Sequence, residues 1–502
     1  MNGLALAVYG VALVATAVFV WRRPLVALYA FVIGLAAHNL VMALLYGAGV
    51  RGNALEAIQA WKEALLAVAI ARVTWDAVRA RRLPFRPGLI DILALAFGSI
   101  VLLYALIPQE ALGGHAGTKA ILYGLRHGLV PVAAYFLGRS LAPSPRQLRL
   151  FGWTLVGAAA LVAGFGLIEE YTVPVEWWRH SGAVGYFHDQ LGFDYHGPGG
   201  LPDNFAFNSS EGLFRRLIST YISPLATGYM LVVALLLGAG LARGRARRPL
   251  IGLGVVIAAG LLFTLSRSSV IALAVGLVVL ALVRRRPGPA IAAAAAVAIG
   301  VGFAFSFTHF APTTHFFKED LPYQREHARK HGGLPGGSGV LSGGEPSLRS
   351  HLTNLRDGLE TVARHPQGYG LGNAGATASR FEVPLKAGES NYTEIGVETG
   401  LVGMLLFIAW NLALLAGLFR AARTAEDDTV RWAAGGLAAA LAAILALAVQ
   451  TDIYGVPWIA YCVWWLAGAL AAPLAVRVRA ADFQSAPASS SFSRASSSTS
   501  SS

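Results

Sequence analysis

Apolar segments about twenty residues long alternate with polar connections along almost the whole chain. The hydrocarbon core of a bilayer requires about 20 apolar residues per helix, so each such segment predicts one transmembrane helix. We identify about thirteen of them, at residues 3–21, 25–47, 55–76, 88–106, 119–138, 150–170, 222–241, 249–265, 268–283, 288–307, 395–418, 432–450 and 455–475. The pattern therefore predicts an all-α polytopic membrane protein whose membrane domain is formed by residues 1–475.

Two polar segments are too long to be simple connections, because helices in bundles are usually joined by about 2–8 residues. Residues 173–216 separate the sixth and seventh predicted helices, and residues 308–394 separate the tenth and eleventh. Residues 347–365 of the larger segment predict an amphipathic helix, since apolar side chains recur every three or four positions. Its apolar stripe consists of Leu348, Leu352, Leu355, Leu359 and Val362. We therefore expect this large loop to be partly helical.

The composition excludes a soluble protein. Hydrophobic residues make up 55% of the chain and charged residues 13%, whereas soluble domains are about 25% charged. The net charge of +13 does not indicate nucleic-acid binding, because the arginines stand in connections between apolar segments. The single cysteine, Cys462, lies in an apolar segment, which excludes a disulfide framework or a thiolate metal cluster within the chain and indicates a packing residue.

The arginine clusters predict the orientation. They follow every second predicted helix, at residues 22–23, 79–86, 139–149, 243–248, 284–286, 420–431 and 477–479. Positively charged connections remain in the cytoplasm, so we expect the N-terminus outside, the C-terminus in the cytoplasm and both long polar segments outside. Residues 476–502 are rich in serine and predict a disordered cytoplasmic tail, to which we assign no function.

Two arginines are predicted at the level of the outer membrane surface. Arg267 stands between two apolar helices, no acidic residue adjoins it in the sequence, and Arg216 precedes another helix. An arginine at this depth is costly unless it snorkels, pairs or binds an anion. Snorkelling is the simpler explanation. The functional alternative is an external diphosphate carried on a lipid, because guanidinium groups match phosphate oxygens with two parallel hydrogen bonds.

Further candidate residues occur in the large loop. Arg349 and Arg356 share one face of the predicted helix and are either a solvated surface or cations that meet an anionic head group. Glu389 precedes the eleventh predicted helix and is either a general base in a cleft or an ordinary acid at a helix start. The histidines of the loop lack metal-ligand spacing, and residues 368–372 lack the strand and the Lys-Ser/Thr of a nucleotide loop. We therefore expect no bound metal and no cofactor.

Aromatic and acidic residues are concentrated in the smaller segment, residues 173–216. The aromatic residues are Trp177, Trp178, Phe187, Phe193 and Tyr195. Two interpretations stay open at this point. The side chains either form a belt at the membrane interface, where tryptophan and tyrosine are enriched, or line a surface on which sugars stack.

Four motifs follow one another in a fixed order along the chain. The stretch 216–224 is similar to an Arg-x-x-Gly-Thr-x-x-Asn-Pro entry to a helix, with Ser219 and Ser223 in place of glycine and asparagine. The stretch 264–268 is similar to a Thr-x-Ser-Arg turn between two helices. Residues 349–370 are similar to a helix followed by a His-Pro-x-Gly-x-Gly element in a large outer loop.

The fourth motif, residues 389–403, is similar to a closing segment in which many ligases carry His-Asn in place of Glu389-Ser390. Together with three helices after the large loop, the four motifs make residues 120–470 resemble the O-antigen ligase and polymerase superfamily of bacterial envelopes. The resemblance leaves open which of the two, a ligase or a polymerase, the chain is.

The resemblance implies a metal-independent glycosyltransferase at the outer face of the bacterial inner membrane, acting in surface polysaccharide or lipopolysaccharide assembly. The donor would be a glycan on undecaprenyl diphosphate. A hydroxyl of a glycan or lipid acceptor would displace the lipid diphosphate with inversion. Membrane lipids, and other polysaccharide-assembly proteins, would be the remaining partners.

The resemblance also implies roles for single residues. Arg216, Arg267 and Arg349 would neutralise the leaving diphosphate, which is electrostatic stabilisation of developing charge. Glu389 would act as the base or orient the acceptor. The further substrate-binding candidates are Tyr392, which would line the site, Arg356 and Arg126, and the lesser ones are Lys62 and Glu398.

A transporter or flippase of lipid-linked sugars is the alternative function. It would also account for many apolar helices and for charges near the membrane. Transporters commonly show internal repeats and broken helices at the bilayer midplane, and the sequence shows no repeat. The two functions differ in their products, since only the enzyme forms a new glycosidic bond.

Overall fold

The computed structural model describes residues 2–209, 211–241, 247–331, 346–388 and 390–471. Its helices are α1 Asn2–Arg22, α2 Val26–Gly47, α3 Asn53–Gln59, α4 Trp61–Ala80, α5 Leu89–Leu106, α6 Thr118–Ser140, α7 Pro145–Thr172, α8 Val175–His180, α9 Ala183–Gly185, α10 Pro224–Leu241, α11 Arg247–Phe263, α12 Arg267–Arg284, α13 Gly288–Phe310, α14 Leu321–His331, α15 Pro346–Arg364, α16 Gly375–Arg380, α17 Asn391–Thr424, α18 Asp428–Leu447 and α19 Pro457–Ala471. The structure also contains three short strands, β1 Ala206–Ser209, β2 Gly212–Arg215 and β3 Thr313–Thr314, and five short 3-10 or π-helical turns.

The predicted all-α polytopic fold is confirmed. Within the described ranges, ten helices are long and apolar enough to cross a membrane, namely α1, α2, α5, α6, α7, α10, α12, α13, α17 and α18. The other three predicted spans are also helical, as α4, α11 and α19. However, α4 begins with Trp61-Lys62-Glu63, and α11 and α19 are described over 17 and 15 residues. The count of thirteen spans stays a prediction, and the predicted tail, residues 476–502, lies outside the described residues.

The arginine-rich connections meet at one end of the bundle, which we call the arginine face. The contacts that join them are Arg139 with Asp91 (Nε to Oδ1, 2.7 Å), Arg149 with Thr429 (Nη2 to Oγ1, 3.2 Å) and Arg423 with Leu282 (Nη2 to the carbonyl oxygen, 3.3 Å). The first pair is buried, and Arg139 and Asp91 form a two-pronged ion pair. Connections that the charge pattern places on one side are therefore in contact.

The remaining connections meet at the opposite end, which we call the loop face. The contacts that join them are Gly52 with Gln190 (N to Oε1, 2.9 Å), His115 with Asn373 (N to Oδ1, 2.8 Å) and Gly199 with Asp320 (N to Oδ2, 2.8 Å). A small antiparallel sheet adds to these contacts. Strand β2 pairs with β1 in a hairpin and with β3 on its other side, with Phe214 opposite both Phe207 and Thr313. The two long polar segments are thereby joined to each other.

The aromatic residues of the smaller segment are mostly core residues of the loop face. Trp178 and Phe187 are buried in a hydrophobic cluster with residues of α2 and α3, and Trp178 Nε1 donates a hydrogen bond to Glu169. These two rings therefore contact neither lipid nor sugar, so neither interpretation drawn from the sequence applies to them. Only Phe193 lines the cleft described below.

Glycines allow the helices at the centre of the bundle to approach closely. A Cβ atom at Gly138 of α6 would lie 1.9 Å from the carbonyl oxygen of Trp465, and one at Gly468 of α19 would lie 2.1 Å from the carbonyl oxygen of Tyr135. Small residues at such crossings are typical of membrane helices, where packing replaces the hydrophobic effect as the driving force.

We predict that Gly468→Ala destabilises the protein, because overpacking a closely packed site costs about 1–3 kcal/mol. The control is Gly157→Ala on α7, where no atom lies within 4 Å of an added Cβ. Thermal unfolding of the detergent-solubilised protein should show a lower midpoint for Gly468→Ala alone. Equal midpoints for the two variants would contradict the close packing of α19 against α6.

Candidate functional site

Arg216 and Arg267 belong to two segments that meet at one turn of the loop face. Arg216 Nε donates to the carbonyl oxygen of Thr264 at 2.9 Å, and the neighbouring Leu217 N donates to that of Phe263 at 3.0 Å. Arg267 is the first residue of α12, where the Ser266 side chain caps the helix. The structure therefore brings together the two arginines that the sequence selected.

The turn before α10 requires an unusual backbone at the position where the similar motif has glycine. Ser219 has φ +51°, in the left-handed region that glycine adopts without strain. Its hydroxyl donates to the carbonyl oxygen of Val162 at 2.6 Å, which offsets part of the strain. Serine thus adopts this left-handed conformation with its hydroxyl hydrogen-bonded.

The glycine-rich run 368–372 packs against a break in α17. Gly400, inside α17, has φ +71°, and a Cβ atom at Gly368 would lie 2.5 Å from its backbone nitrogen. Tyr369 N donates to the carbonyl oxygen of Val397 at 2.7 Å, and Leu401 N donates to that of Pro366 at 2.8 Å. The His-Pro-x-Gly-x-Gly element therefore replaces helical hydrogen bonds that the break removes.

Glu398 holds the end of this run in place. Its Oε1 accepts a hydrogen bond from Gly372 N at 2.8 Å. The next residue, Asn373, donates from Nδ2 to Gln109 Oε1 at 2.8 Å and accepts from His115 N. The backbone amides of Tyr369 and Gly372 thus donate to protein oxygens, which gives the run a packing role.

The start of α17 fixes the connection between α18 and α19. Asn391 donates from Nδ2 to Asp452 Oδ1 at 2.9 Å, and its Oδ1 accepts from Ile453 N at 2.8 Å. Its own backbone N donates to the carbonyl oxygen of Ala448 at 3.0 Å. The motif that begins at residue 389 is thus attached to the turn that carries Asp452.

Asp452 is held by several donors. His127 Nε2 of α6 lies 3.1 Å from its Oδ1, and Gly455 N donates to the same oxygen at 2.8 Å. Burial acts to raise the pKa of Asp452, but the charge of His127 and the hydrogen bonds from His127, Asn391 and Gly455 outweigh it and hold the pKa below its usual range. We infer that Asp452 is ionised and holds His127 in one orientation.

Tyr229 of α10 links this turn to the two arginines. Its hydroxyl lies 3.4 Å from Thr451 Oγ1, the residue before Asp452. The same side chain interacts electrostatically with Ser268 and Arg216. The Arg216–Arg267 turn and the Asp452 turn are therefore neighbours on the loop face.

A polar cleft opens beside Asp452 and contains about 620 Å³ of empty space, part of which is open to solvent. It lies between α4, α6, α16 and α19. Its polar and aromatic lining residues are Lys62, Glu63, Tyr123, Arg126, His127, Phe193, Thr377, Arg380, Asp452, Tyr454 and Tyr461. Both long polar segments contribute to it, through Phe193 and Arg380. The cleft is thus a site of polar and aromatic side chains at one end of a membrane bundle.

The other site residues predicted from the sequence differ in whether they lie in the cleft. Arg126 lines the cleft and forms an ion pair with Glu63 at 3.3 Å. Tyr392 is half-buried, does not line the cleft, and donates from its hydroxyl to the carbonyl oxygen of Leu445 at 2.8 Å. Arg356 is exposed on α15. The position of Glu389 lies outside the described residues, as does the side chain of Arg349.

The helix predicted at residues 347–365 is confirmed as α15, but its contact face is not the whole apolar stripe. Val362 is buried, whereas Leu352 and Leu359 are 61% and 47% exposed. Gly358 packs directly against Thr393 of α17, where an added Cβ would lie 2.8 Å from the threonine Cβ. Because of this close approach, α15 contacts α17 through the face that carries Gly358 and Val362. Leu352 and Leu359 lie outside this contact face.

Sequence reasoning did not select His127, Asp452 or Arg380, nor the ring of Tyr123 between two arginines. A signal for two of them was present. Asp452 stands in a short connection between apolar helices, and His127 follows Arg126 inside an apolar helix. Charged and ionisable residues in such positions are rare and usually mark a site.

Fold and site together define a polytopic helical membrane protein with a polar cleft at one face of the bundle. Residues 252–408 match the family described as O-Antigen ligase. The match supports the O-antigen ligase superfamily as the family of this chain and, with it, a glycan-transferring function in polysaccharide assembly. It includes Arg267, the large loop and Glu398, whereas Arg216, Arg126 and Asp452 lie outside it. No curated protein matches the chain.

We predict that Ser219→Gly leaves stability nearly unchanged, because relief of left-handed strain of about 1–2 kcal/mol offsets the lost hydrogen bond of about 1 kcal/mol. Ser219→Val should destabilise by at least about 2 kcal/mol, since a β-branched residue suffers that strain and lacks the hydroxyl. Thermal unfolding in detergent measures both variants.

The control for the valine variant is Thr220→Val. It removes a similar hydrogen bond, from Thr220 to the carbonyl oxygen of Ala36, at an ordinary backbone angle. If Thr220→Val and Ser219→Val lower the unfolding midpoint equally, backbone strain at Ser219 does not contribute.

Proposed function

We propose that the protein is a glycosyltransferase that moves a glycan from a lipid diphosphate donor to an acceptor hydroxyl at the loop face. The observation that carries this proposal is the meeting of Arg216 and Arg267 at one turn of the loop face. The family match over residues 252–408 supports the same class of reaction. Undecaprenyl diphosphate is the donor lipid we propose for a bacterial envelope.

The proposed reaction has one bond made and one bond broken. The acceptor oxygen attacks the anomeric carbon, the bond from that carbon to the diphosphate oxygen breaks, and the configuration inverts. Arg216 and Arg267 stabilise the negative charge that develops on the leaving diphosphate, as preorganised donors do in other enzymes. Glu389 receives the acceptor proton, or it only orients the acceptor hydroxyl and the leaving diphosphate takes the proton. The scheme requires no metal, because guanidinium groups supply the positive charge.

The other residues have supporting roles in this proposal. Arg349 and Arg356 are seven residues apart on α15, and we propose that they add positive charge above the diphosphate. Tyr392 fixes the start of α17 against α18 through its hydrogen bond to the carbonyl oxygen of Leu445. Arg126 contacts the glycan in the cleft. The products of the reaction distinguish a ligase from a polymerase and show whether a separate acceptor is needed.

We propose that the protein lies in the bacterial inner membrane with its loop face outside. Arginine clusters in the connections of the opposite face support this orientation, because positively charged connections stay in the cytoplasm. The N-terminus then lies outside and the C-terminus in the cytoplasm.

The orientation predicts the labelling of single cysteines. Glu110→Cys on the loop face should react with a membrane-impermeant maleimide after the outer membrane is permeabilised, whereas Arg146→Cys on the arginine face should react only after lysis. Both positions are exposed, and the native Cys462 is buried; a Cys462→Ser background removes its residual signal. The reverse labelling pattern would overturn the orientation.

The reaction predicts a product that a gel resolving glycan length can detect. Purified protein is incubated with a glycan on undecaprenyl diphosphate, with and without a separate acceptor. A ladder indicates a polymerase, and a single shifted band that requires the acceptor indicates a ligase. Arg267→Ala and Arg216→Ala should each reduce the rate by about 100-fold or more, as the loss of one charge-stabilising donor does.

The control is Arg51→Ala, which removes an exposed loop-face arginine stacked on Tyr46 at 4.6 Å and should retain full activity. Activity that survives in Glu389→Gln would exclude Glu389 as the base. If no bond forms while labelled lipid-linked glycan crosses vesicle membranes, the chain is a transporter or flippase and the enzyme proposal fails.

A further inference from the structure

We propose that the cleft beside Tyr123 binds the carboxylate of an acidic sugar, so that the glycan handled by this protein contains a uronic acid or a similar residue. The inference rests on the proposed function, because it names the substrate class of that site. It is carried by an excess of positive charge that the described cleft residues leave uncompensated.

One carboxylate serves two of the three cations that line the cleft. Lys62 is buried, and its Nζ lies 2.7 Å from the carbonyl oxygen of Gln59 and 3.5 Å from Glu63 Oε2. Arg126 Nη1 lies 3.3 Å from Glu63 Oε1. The other carboxylate of the lining, Asp452, is engaged with His127. Glu63 therefore balances only one of the two charges it contacts.

The third cation, Arg380, has an aromatic partner in place of an acidic one. No carboxylate in the described part of the chain lies within ion-pair distance of it, and its guanidinium carbon lies 4.1 Å from the centre of the Tyr123 ring. Burial lowers the pKa of Arg380, as it does for a cation removed from water. Burying a cation in this way is unfavourable until an anion approaches.

Two guanidinium groups contact the same ring. Arg126 lies 4.4 Å from the centre of Tyr123, close to the 4.1 Å of Arg380. A ring face attracts each cation, but the two cations repel each other. A carboxylate near Tyr123 relieves this repulsion, and each guanidinium can offer it two parallel hydrogen bonds.

The remaining lining suits a sugar better than a bare diphosphate. Phe193, Tyr454 and Tyr461 provide aromatic surface, and the oxygens of Glu63 and Asp452 can accept hydrogen bonds from hydroxyl groups. The same two carboxylates repel a diphosphate, which carries more negative charge than one sugar carboxylate. The leaving diphosphate has its own proposed site at Arg216 and Arg267, so a carboxylate on the sugar chain is the anion left for Arg380.

The first experiment detects binding of small probes to the full-length, detergent-solubilised protein by saturation-transfer difference NMR. The probes are glucuronic acid, glucose and inorganic diphosphate. We expect contacts to glucuronic acid, at least about tenfold weaker binding of glucose, and little displacement of glucuronic acid by equimolar diphosphate, since a charged hydrogen bond is worth about tenfold or more in affinity. Equal binding of the two sugars, or no binding of glucuronic acid, would overturn the proposal.

The variants test the residues. Arg380→Gln and Arg126→Gln should each weaken glucuronic acid binding by about tenfold. Arg380→Lys keeps the positive charge but cannot form two parallel hydrogen bonds, so its affinity for glucuronic acid should lie between those of the wild type and Arg380→Gln. The matched control is Arg179→Gln. Arg179 also lies on a short loop-face helix and stacks on an aromatic ring, Phe317, at 3.9 Å, but outside the cleft.

These experiments distinguish a sugar carboxylate from a diphosphate as the bound anion. They also test acidic-sugar binding separately from glycan transfer. Displacement of glucuronic acid by less than equimolar diphosphate, in wild type and in Arg267→Ala alike, would assign the cleft to a phosphate group and overturn the acidic-sugar assignment. If Arg179→Gln and Arg380→Gln weaken glucuronic acid binding equally, the assignment of Arg380 to the carboxylate site is wrong. Binding of glucuronic acid needs no turnover, so it can succeed or fail independently of the transferase assay.

Discussion

The side chain of Asn391 is the constraint on which the loop face depends. It is fully buried and uses both ends of its amide, donating to Asp452 and accepting from Ile453 N and Tyr454 N. A buried amide that loses its partners costs about 1–3 kcal/mol for each group left unsatisfied. The start of α17 and the connection between α18 and α19 are therefore fixed relative to each other. Through Asp452 and Thr451 the same contact positions His127 in the cleft and Tyr229 beside the arginine turn.

The distribution of ion pairs distinguishes structural arginines from those of the site. Arg139 forms a buried two-pronged pair with Asp91, and Arg215 pairs with Glu169. Each of these charges has a full counter-charge, as a buried arginine in a structural role requires. Arg126 shares Glu63 with Lys62, and Arg380 stacks on an aromatic ring. Arg139 and Arg215 are thus neutralised within the bundle, whereas the described residues of the cleft retain positive charge.

Local properties made most of the fold predictable from the sequence. Helix positions follow from runs of apolar residues, because a helix satisfies its own backbone in a membrane. The grouping of connections into two faces follows from the arginine pattern, and the family resemblance implied that Arg216 and Arg267 act on one diphosphate. The break at Gly400 was not predicted, because it depends on contact with Gly368, far away in the sequence. For the same reason the burial of Trp178 and the contact face of α15 could not be predicted.

The cleft was the least predictable part, because it combines residues from α4, α6, α16 and α19 with the connection before α19. The only cleft residues within the segment that matches the O-antigen ligase family belong to α16, among them Arg380, whereas Lys62, Arg126 and Asp452 lie outside it. Arg267 and the large loop are inside the matched segment. The boundary of the match divides both proposed sites, since Arg216 lies outside it and Arg380 lies inside it. On physical grounds alone, positive charge for a leaving diphosphate suits many glycan donors, while contacts to a particular sugar must change with that sugar. The surroundings of Tyr123 are then the place where this chain would express its own specificity.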